Sequence, residues 1–185
     1  VGHMGTDLAI AHYQFNPEVA AQLLAGCESC GRALQKTNII KDFVEDLGRG
    51  FCYLPDAWIA EADGLPLLLQ GAPRSWMKMV LDRVMAELNA SVTYVTSIPY
   101  ESPGYRLASL LCLLPAYQTI LLAAQQHEKL FTPEHHLKIS RNCLSQCIED
   151  AKSMVRDNAA LLVYSRELQH AVEAALSNKF MAIAA

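Results

Sequence analysis

The feature that most limits the fold is an uncharged run of eighteen residues, LASLLCLLPAYQTILLAA at positions 107–124. A segment of this length and polarity belongs either at the centre of a helical bundle or in a bilayer. Pro115 lies in its middle, Tyr117, Gln118 and Thr119 follow, and no basic cluster flanks it. These features favour a central helix, buried on all sides, over a membrane span. A membrane-anchored helical protein stays as an alternative, which solubility without detergent would contradict.

Helix start signals organise the rest of the chain. Asn16-Pro17-Glu18 supplies an N-cap, a proline at the first helical position and an acid in the first turn. Thr132-Pro133-Glu134 repeats this signature, and strand-like alternation is essentially absent from the sequence. We therefore predict an all-α chain. Its long helices are predicted from Pro17 to Asp46, over residues 74–95, over residues 104–128, and in a last helical region from Thr132 to about Leu176.

Composition narrows the functional classes. The 185 residues suit one domain, and a net charge of −4 with a pI near 5.8 argues against nucleic-acid binding. The six cysteines lie mostly within apolar helical pattern, so we expect reduced and mostly buried thiols. Zinc on Cys27 and Cys30 with Cys143 and Cys147 is disfavoured, because both pairs lack the turn that structural zinc sites use.

The stretch QKTNIIKDFVED at residues 35–46 carries three acids at the predicted C-terminal end of its helix. Acids there are unfavourable, since a helix C-terminus is the negative end of the helix dipole. At 100° per residue, one face carries the polar side chains and the opposite face is apolar. An ordinary solvated face would explain this pattern. The polar stripe consists of Gln35, Asn38, Asp42, Glu45 and Asp46, with Ile39 as its apolar member.

Two observations favour a binding site over a solvated face. Toward the N-terminus the polarity of the same stripe fades into small and apolar residues, as in a cavity with a polar mouth. The positions there are Gly31, Glu28, Cys27, Leu24 and Ala20. Asp42 and Asp46 are four residues apart, so their side chains project together as ligands of one hard cation would. Mg²⁺ takes oxygen ligands and is often bridged to substrate phosphates. We therefore expect Mg²⁺ on these acids and a diphosphate on the Mg²⁺.

The segment GRALQKTNIIKDFVEDLGRGFCYLP, residues 31–55, resembles the second aspartate-rich motif of the squalene/phytoene synthase family. Its core LQKTNII is more similar to the squalene synthase branch than to the phytoene branch. Three shorter segments, VGHMG, CLLPAYQTILLAA and LKISR, are also similar to family segments. The resemblance covers residues 1 to about 141.

This resemblance implies an isoprenoid-synthase-type helical bundle around a central cavity. Two molecules of farnesyl diphosphate, or of a longer homologue, would condense head to head with Mg²⁺, and NADPH would reduce the intermediate to squalene. Contact with lipid substrates and products implies a protein that is either cytoplasmic or peripherally associated with the membrane. The implied catalytic and Mg²⁺-binding residues are Asp42 and Asp46, with Asn38 as a third ligand; the implied substrate-binding residues are Gln35, Lys41, Arg49 and Lys138.

Several features depart from the family pattern. The first aspartate motif, and a tyrosine expected just before VGHMG, are not in this sequence, so residues 1–185 would be the C-terminal part of a longer synthase domain. Leu111 replaces an expected aromatic, which leaves squalene, presqualene diphosphate and phytoene open as products. A catalytically silent assembly subunit is a further alternative.

Six side chains outside the acidic stretch also have ordinary structural interpretations. Lys138 and Arg141 meet a phosphate group or lie on a solvated helix face, and the sequence leaves both open. His135 and His136 are expected to be exposed polar residues. Trp58 and Trp76, at positions that no site pattern includes, are expected to pack in the core.

Overall fold

The computed structural model describes residues 2–61, 74–132 and 135–177. Across these residues the chain forms eight helices and no strand, which confirms the all-α prediction. The helices are α1 (Gly2–Tyr13), α2 (Pro17–Lys41), α3 (Phe43–Gly48), α4 (Asp56–Ala60), α5 (Arg74–Ser97), α6 (Pro103–Gln125), α7 (Arg141–Met154) and α8 (Asn158–Ser177).

Helices α5 and α6 form the centre of the bundle. The most extensive packing is between α2 and α5, and α1 packs on α2. Helix α8 packs on α6 and α5, and α7 packs on α6. Helices α2 and α6 both pack on α5 but contact each other over only a short length, which leaves a groove between them.

Helix α2 begins as predicted and ends earlier than predicted. The Asn16 side-chain oxygen accepts a hydrogen bond from the Val19 backbone N–H at 2.9 Å. The helix ends at Lys41, with Asp42 at φ −95° and ψ 8°, so the prediction of one helix to Asp46 was wrong. Aspartate is a poor helix former, and its charge is unfavourable near the C-terminus. Backbone bonds from Asp42 N to Asn38 O (2.8 Å) and from Asp46 N to Asp42 O (2.9 Å) nevertheless continue the helical spacing.

Helix α6 is central but is not buried on all sides, so that expectation was wrong. Ten of its residues are buried, among them Tyr117 and Arg106. Ala108, Leu111 and Cys112 are exposed on one face. Within the described residues it is the one helix long and apolar enough to cross a membrane, and half of its most apolar stretch is buried inside the protein. Its exposed face borders the groove.

The last helical region differs from the prediction. Of the expected cap, Thr132 is not helical, and residues 133 and 134 lie outside the described part of the chain. Residues 135–140 are not helical, and α7 begins after Ser140, whose hydroxyl accepts from the Cys143 N–H at 3.1 Å. The helix begins later than predicted because the Leu137 side chain is buried in the core. This burial holds residues 135–140 in a non-helical path across α3 and α6.

The thiols are less buried than predicted. All six cysteines are free, but only Cys27 and Cys147 are buried, while Cys52 and Cys112 are exposed. The prediction failed because Cys112 lies on the groove face of α6 and Cys52 lies in the loop after α3. Burial raises the pKa of the half-buried Cys30 to about 11 and that of Cys147 to about 12.

The two tryptophans are packing residues, as predicted. Trp76 donates its indole N–H to the Trp58 carbonyl at 2.5 Å, and both rings are buried. Trp76 packs on Phe131 at 5.4 Å between ring centroids, and Phe131 meets Phe43 edge-on at 5.0 Å. This cluster fixes the start of α3, and with it the position of the acidic stretch.

A buried arginine joins four parts of the bundle. Arg106 is fully buried, and its guanidinium donates to the carbonyls of Val95 (2.8 Å), Ile98 (2.5 Å) and Val155 (2.7 Å) and to Asn158 Oδ1 (2.6 Å). The charge is stabilised by carbonyl dipoles at the end of α5 and by the Tyr100 ring, 4.7 Å away. Burial lowers the pKa of this guanidinium.

We predict that Arg106→Met lowers the free energy of unfolding by about 3–5 kcal/mol, because the carbonyls it satisfies would stay buried without donors. Chemical denaturation monitored by circular dichroism measures the change. Arg156→Met, at an exposed arginine nearby, is the control and should have little effect. Equal stability of the two variants would contradict the structural role of Arg106.

A second prediction concerns Glu45, which accepts a hydrogen bond from His136 Nδ1 at 2.8 Å and thereby holds residues 135–140 on α3. This bond lowers the pKa of Glu45 below its ordinary value of 4.5. The stability from this contact is therefore present above pH 4.5 and lost as the pH falls through the lowered pKa. Both groups are exposed, so the effect should be well below about 1 kcal/mol.

Thermal unfolding of Glu45→Gln against the unmodified protein, across this pH range, tests the contact. The difference in melting temperature should shrink on acidification. Glu149→Gln removes an exposed pair with Lys152 inside one helix and is the matched control. A difference for Glu45→Gln that does not change with pH would show that the carboxylate is not held by this bond.

Candidate functional site

The groove between α2 and α6 is the main concave feature that carries the predicted site residues. Two adjoining cavities of about 410 Å³ and 450 Å³ form it, and both are lined by Leu34, Asn38 and Cys112. Most of the lining is small or apolar. Gln35 and Asn38 of the predicted polar stripe line the groove, whereas the three acids of that stripe lie outside its lining.

The mouth of the groove lies where α2 ends. Lys41, Thr37 and Asn38 line it from α2, Thr119 from α6, and Lys138 from the segment before α7. Both lysines thus border the same cavity although they are far apart in sequence. The mouth carries positive charge on the groove side and carboxylates just beyond it.

The oxygens of Asn38 and Asp42 face one common point. Lys41 Nζ lies 3.3 Å from Asn38 Oδ1 and 3.4 Å from Asp42 Oδ2. A cationic group therefore already lies between the amide oxygen and the carboxylate. The Asp42 side chain is 45% exposed, so an ion from solvent can reach it. If the flexible side chain of Lys41 moved away, another cation could take its place beside the same two oxygens.

Asp46 and its neighbours form the outer edge of the mouth. The Asp46 side chain is only 22% exposed, and Arg49 Nη1 lies 3.8 Å from its carboxylate. Arg49 is 72% exposed, too open to act as a fixed binding group in this conformation. Glu45 is engaged by His136 rather than by the groove. The loop past Gly50, which adopts φ +84°, continues with exposed Phe51 and Tyr53.

The predicted site residues fall into two groups. Gln35, Asn38, Lys41 and Lys138 line the groove. The others, Asp42, Asp46 and Arg49, follow on the next turns outside the lining. The oxygen atoms of Asn38, Asp42 and Asp46 suit Mg²⁺, which keeps waters and substrate oxygens for the remaining positions. The described part of the chain contains no group of three or more His, Cys, Asp or Glu side chains arranged for a metal, so protein carboxylates alone do not complete a site here.

The histidines differ from each other. His136 is exposed, as predicted, whereas His135 is half-buried and its Nε2 has no hydrogen-bond partner. Burial, with the positive charge of Lys129, lowers the pKa of His135. Both rings line a separate polar cavity of about 440 Å³ on the other side of Lys138.

Sequence reasoning missed the far end of the groove. Tyr94 of α5 and Tyr105 of α6 line it together with Gly2 and Gly5 of α1. Helix α1 lies close to α2 here, because a Cβ at Gly2 would stand 2.3 Å from the Cys27 carbonyl oxygen. No local pattern marks these residues, since the contacts join segments far apart in the chain.

Comparison with known proteins supports this architecture. Residues 1–143 match the family model described as "Squalene/phytoene synthase". A 15-cis-phytoene synthase of Enterobacter agglomerans is 38% identical over 89 residues, which cover 48% of this chain and 29% of that protein. A bifunctional lycopene cyclase/phytoene synthase of Arthroderma gypseum is 32% identical over 83 residues, which cover 44% of this chain and 14% of that protein.

The matched segments therefore span less than a third of either relative. No solved structure matches the chain. Both relatives are named for phytoene synthesis, so they do not favour the squalene branch, which stays a prediction. Because the family model covers most of the chain and the fold is all-α, this chain belongs to the squalene/phytoene synthase family.

Proposed function

We propose that this chain forms the diphosphate-binding mouth and one apolar wall of a head-to-head prenyl synthase. The observation that carries the proposal is the shared cation position between Asn38 and Asp42 at the mouth of an apolar groove. A prenyl diphosphate has this same division, with an anionic head and an apolar tail. Its head would lie at the mouth and its tail along the groove.

In this proposal Asn38, Asp42 and Asp46 hold Mg²⁺, which when bound supplies positive charge to the departing diphosphate. Lys41, released from Asn38 and Asp42, reaches the diphosphate and balances its remaining charge. Lys138 contributes a second cation from the opposite side of the mouth. Gln35, one turn further in, contacts the substrate near its first carbons, and Arg49 would turn inward only when substrate is bound.

The apolar lining performs a different task. Loss of diphosphate from an allylic carbon leaves a cation that water would destroy. Leu34, Pro115 and Ala116 present no nucleophile along the groove, so they exclude water from that cation. The alkene of a second prenyl chain would attack that cation and form a carbon–carbon bond. The cation that results would then lose a proton, which the departed diphosphate can accept.

We propose farnesyl diphosphate as the substrate, giving presqualene diphosphate and, with NADPH, squalene. The names of the two relatives favour a second candidate, a phytoene-type synthase that needs no reductant. Incubation of the chain with farnesyl or geranylgeranyl diphosphate and Mg²⁺, with and without NADPH, tests both through analysis of the extracted products. Squalene only with NADPH would support the first, and phytoene without NADPH the second.

The metal assignment is tested by binding, which is independent of turnover. We predict that Mg²⁺ strengthens the binding of farnesyl diphosphate and that Asp42→Asn weakens it roughly tenfold or more, because one charge-assisted ligand is lost. Isothermal titration calorimetry measures both. Asp7→Asn, at an exposed aspartate on α1, is the control. Unchanged binding by Asp42→Asn would contradict the assignment, whereas intact binding without any product would favour a silent partner subunit.

A further inference from the structure

We propose that Tyr105, held in place by Tyr94, is the end stop of the groove and limits the length of the apolar chain that it accepts. The identity of that chain as a prenyl group rests on the proposed function. The geometry of the stop does not, because it depends only on which side chains close the groove.

The groove has a defined length between its mouth and its far end. Lys41 and Thr119 line the mouth, whereas Cys27 and Tyr105 line the far end. On each wall these positions are fourteen residues apart, so α2 and α6 run in the same direction along the groove. At the rise of an α-helix both walls are roughly 21 Å long. The ligand space therefore ends at a specific pair of side chains.

Helix α1 closes the far end from the third side. Gly2 and Gly5 line the groove, and the lack of a side chain at Gly2 lets α1 lie against α2. Thr6 follows on the inner face of α1 and is only 1% exposed. An apolar chain that enters from the mouth thus meets α1 and the two tyrosines together.

Hydrogen bonds hold the tyrosine rings in position. Thr6 Oγ1 lies 2.7 Å from the Tyr94 hydroxyl, which lies 2.5 Å from the Tyr105 hydroxyl. Tyr94 is 4% exposed and packs against Gly26, where an added Cβ would stand 3.2 Å from the Tyr94 Cβ. Tyr94 therefore has no free space to turn into. Through their bond, Tyr94 restrains Tyr105.

Tyr105 is the member of the pair that a longer chain would displace. It is half-buried, on the groove wall, and the Tyr13 ring lies behind it at 6.3 Å between centroids. Removal of the Tyr105 ring would open space toward Tyr13, whereas Tyr94 still has Thr6 as a partner. The Tyr105→Ala variant should thus lengthen the groove without unpairing the buried hydroxyl of Tyr94.

An extended chain of four isoprene units is about as long as the roughly 21 Å walls of the groove, so the test compares geranylgeraniol with geranylfarnesol, which has one unit more. Neither alcohol needs Mg²⁺ or a diphosphate site. Their dissociation constants are measured on the full chain by displacement of an environment-sensitive fluorescent dye. In the unmodified protein the longer alcohol should bind little better than the shorter, because its last isoprene unit finds no space. In Tyr105→Ala it should bind about tenfold better, because that unit becomes buried. An unchanged ratio would overturn the end stop.

Tyr105→Phe keeps the ring but removes its hydrogen bond to Tyr94, so its ratio should rise far less than that of Tyr105→Ala. A ratio that rises equally in Tyr105→Phe would assign the limit to the hydroxyl and contradict a stop made by the ring. If Tyr105→Ala does not unfold cooperatively, Tyr105→Leu replaces it, with a smaller rise expected. Failure of both alcohols to bind the unmodified protein would overturn the end stop, whereas loss of Mg²⁺-dependent diphosphate binding alone would overturn only the proposed function.

Discussion

The structure depends on one buried cation. Arg106 gathers the end of α5, the start of α6 and the turn between α7 and α8 around a single guanidinium. It replaces a carboxylate partner with carbonyl groups that lie in the last turn of α5 or just past the ends of α5 and α7. Its neighbours in sequence line the groove. Tyr105 precedes Arg106, and Tyr94 precedes Val95, whose carbonyl Arg106 binds. The same interaction that joins the helices therefore sets the far end of the groove.

The mouth, at the opposite end of the groove, depends on the acids that follow α2. Acids at the end of α2 oppose the helix dipole, and the helix ends at Lys41 before them. The hydrogen bonds on both sides of Asp42 keep the turns in register, so the side chains of Asn38 and Asp42 meet around Lys41. A lysine in this position offsets the carboxylate charge in the free protein. In the proposed complex, a metal ion would take over that task and leave the lysine to the substrate.

The sequence predicted much of this fold because helices are local. The cap at Asn16 and the uncharged run in α6 each carried their own signal, and Gln35 and Asn38 of the polar stripe line the groove. Errors arose where tertiary contacts decide. Leu137 is buried and holds residues 135–140 out of the helix that a local cap signature predicted. Cys112 looked like a core residue because helical periodicity does not say which apolar face has a neighbour.

The candidate site also has one part that the sequence predicted and another that it did not. Its mouth could be found from the helical spacing of Gln35, Asn38 and Asp42, which the chain keeps although α2 ends at Lys41. Its far end could not, since Thr6 meets Tyr94 across 88 positions of the chain. The contribution of Lys138 also depends on a long-range contact, because the segment before α7 must cross α3 to bring it to the mouth. Long-range contacts therefore position the parts of the site that the local motif does not include.

The central claim is that Asn38 and Asp42 bind a divalent cation at the mouth of the groove. Crystals of the chain soaked with Mn²⁺ and inorganic pyrophosphate, with diffraction data collected at an energy where manganese scatters anomalously, test it most directly. The account predicts an anomalous peak within coordination distance of Asn38 Oδ1 and an Asp42 carboxylate oxygen, with Lys41 moved onto the pyrophosphate. A fully occupied Mn²⁺ elsewhere, with Lys41 still between Asn38 and Asp42, would contradict it.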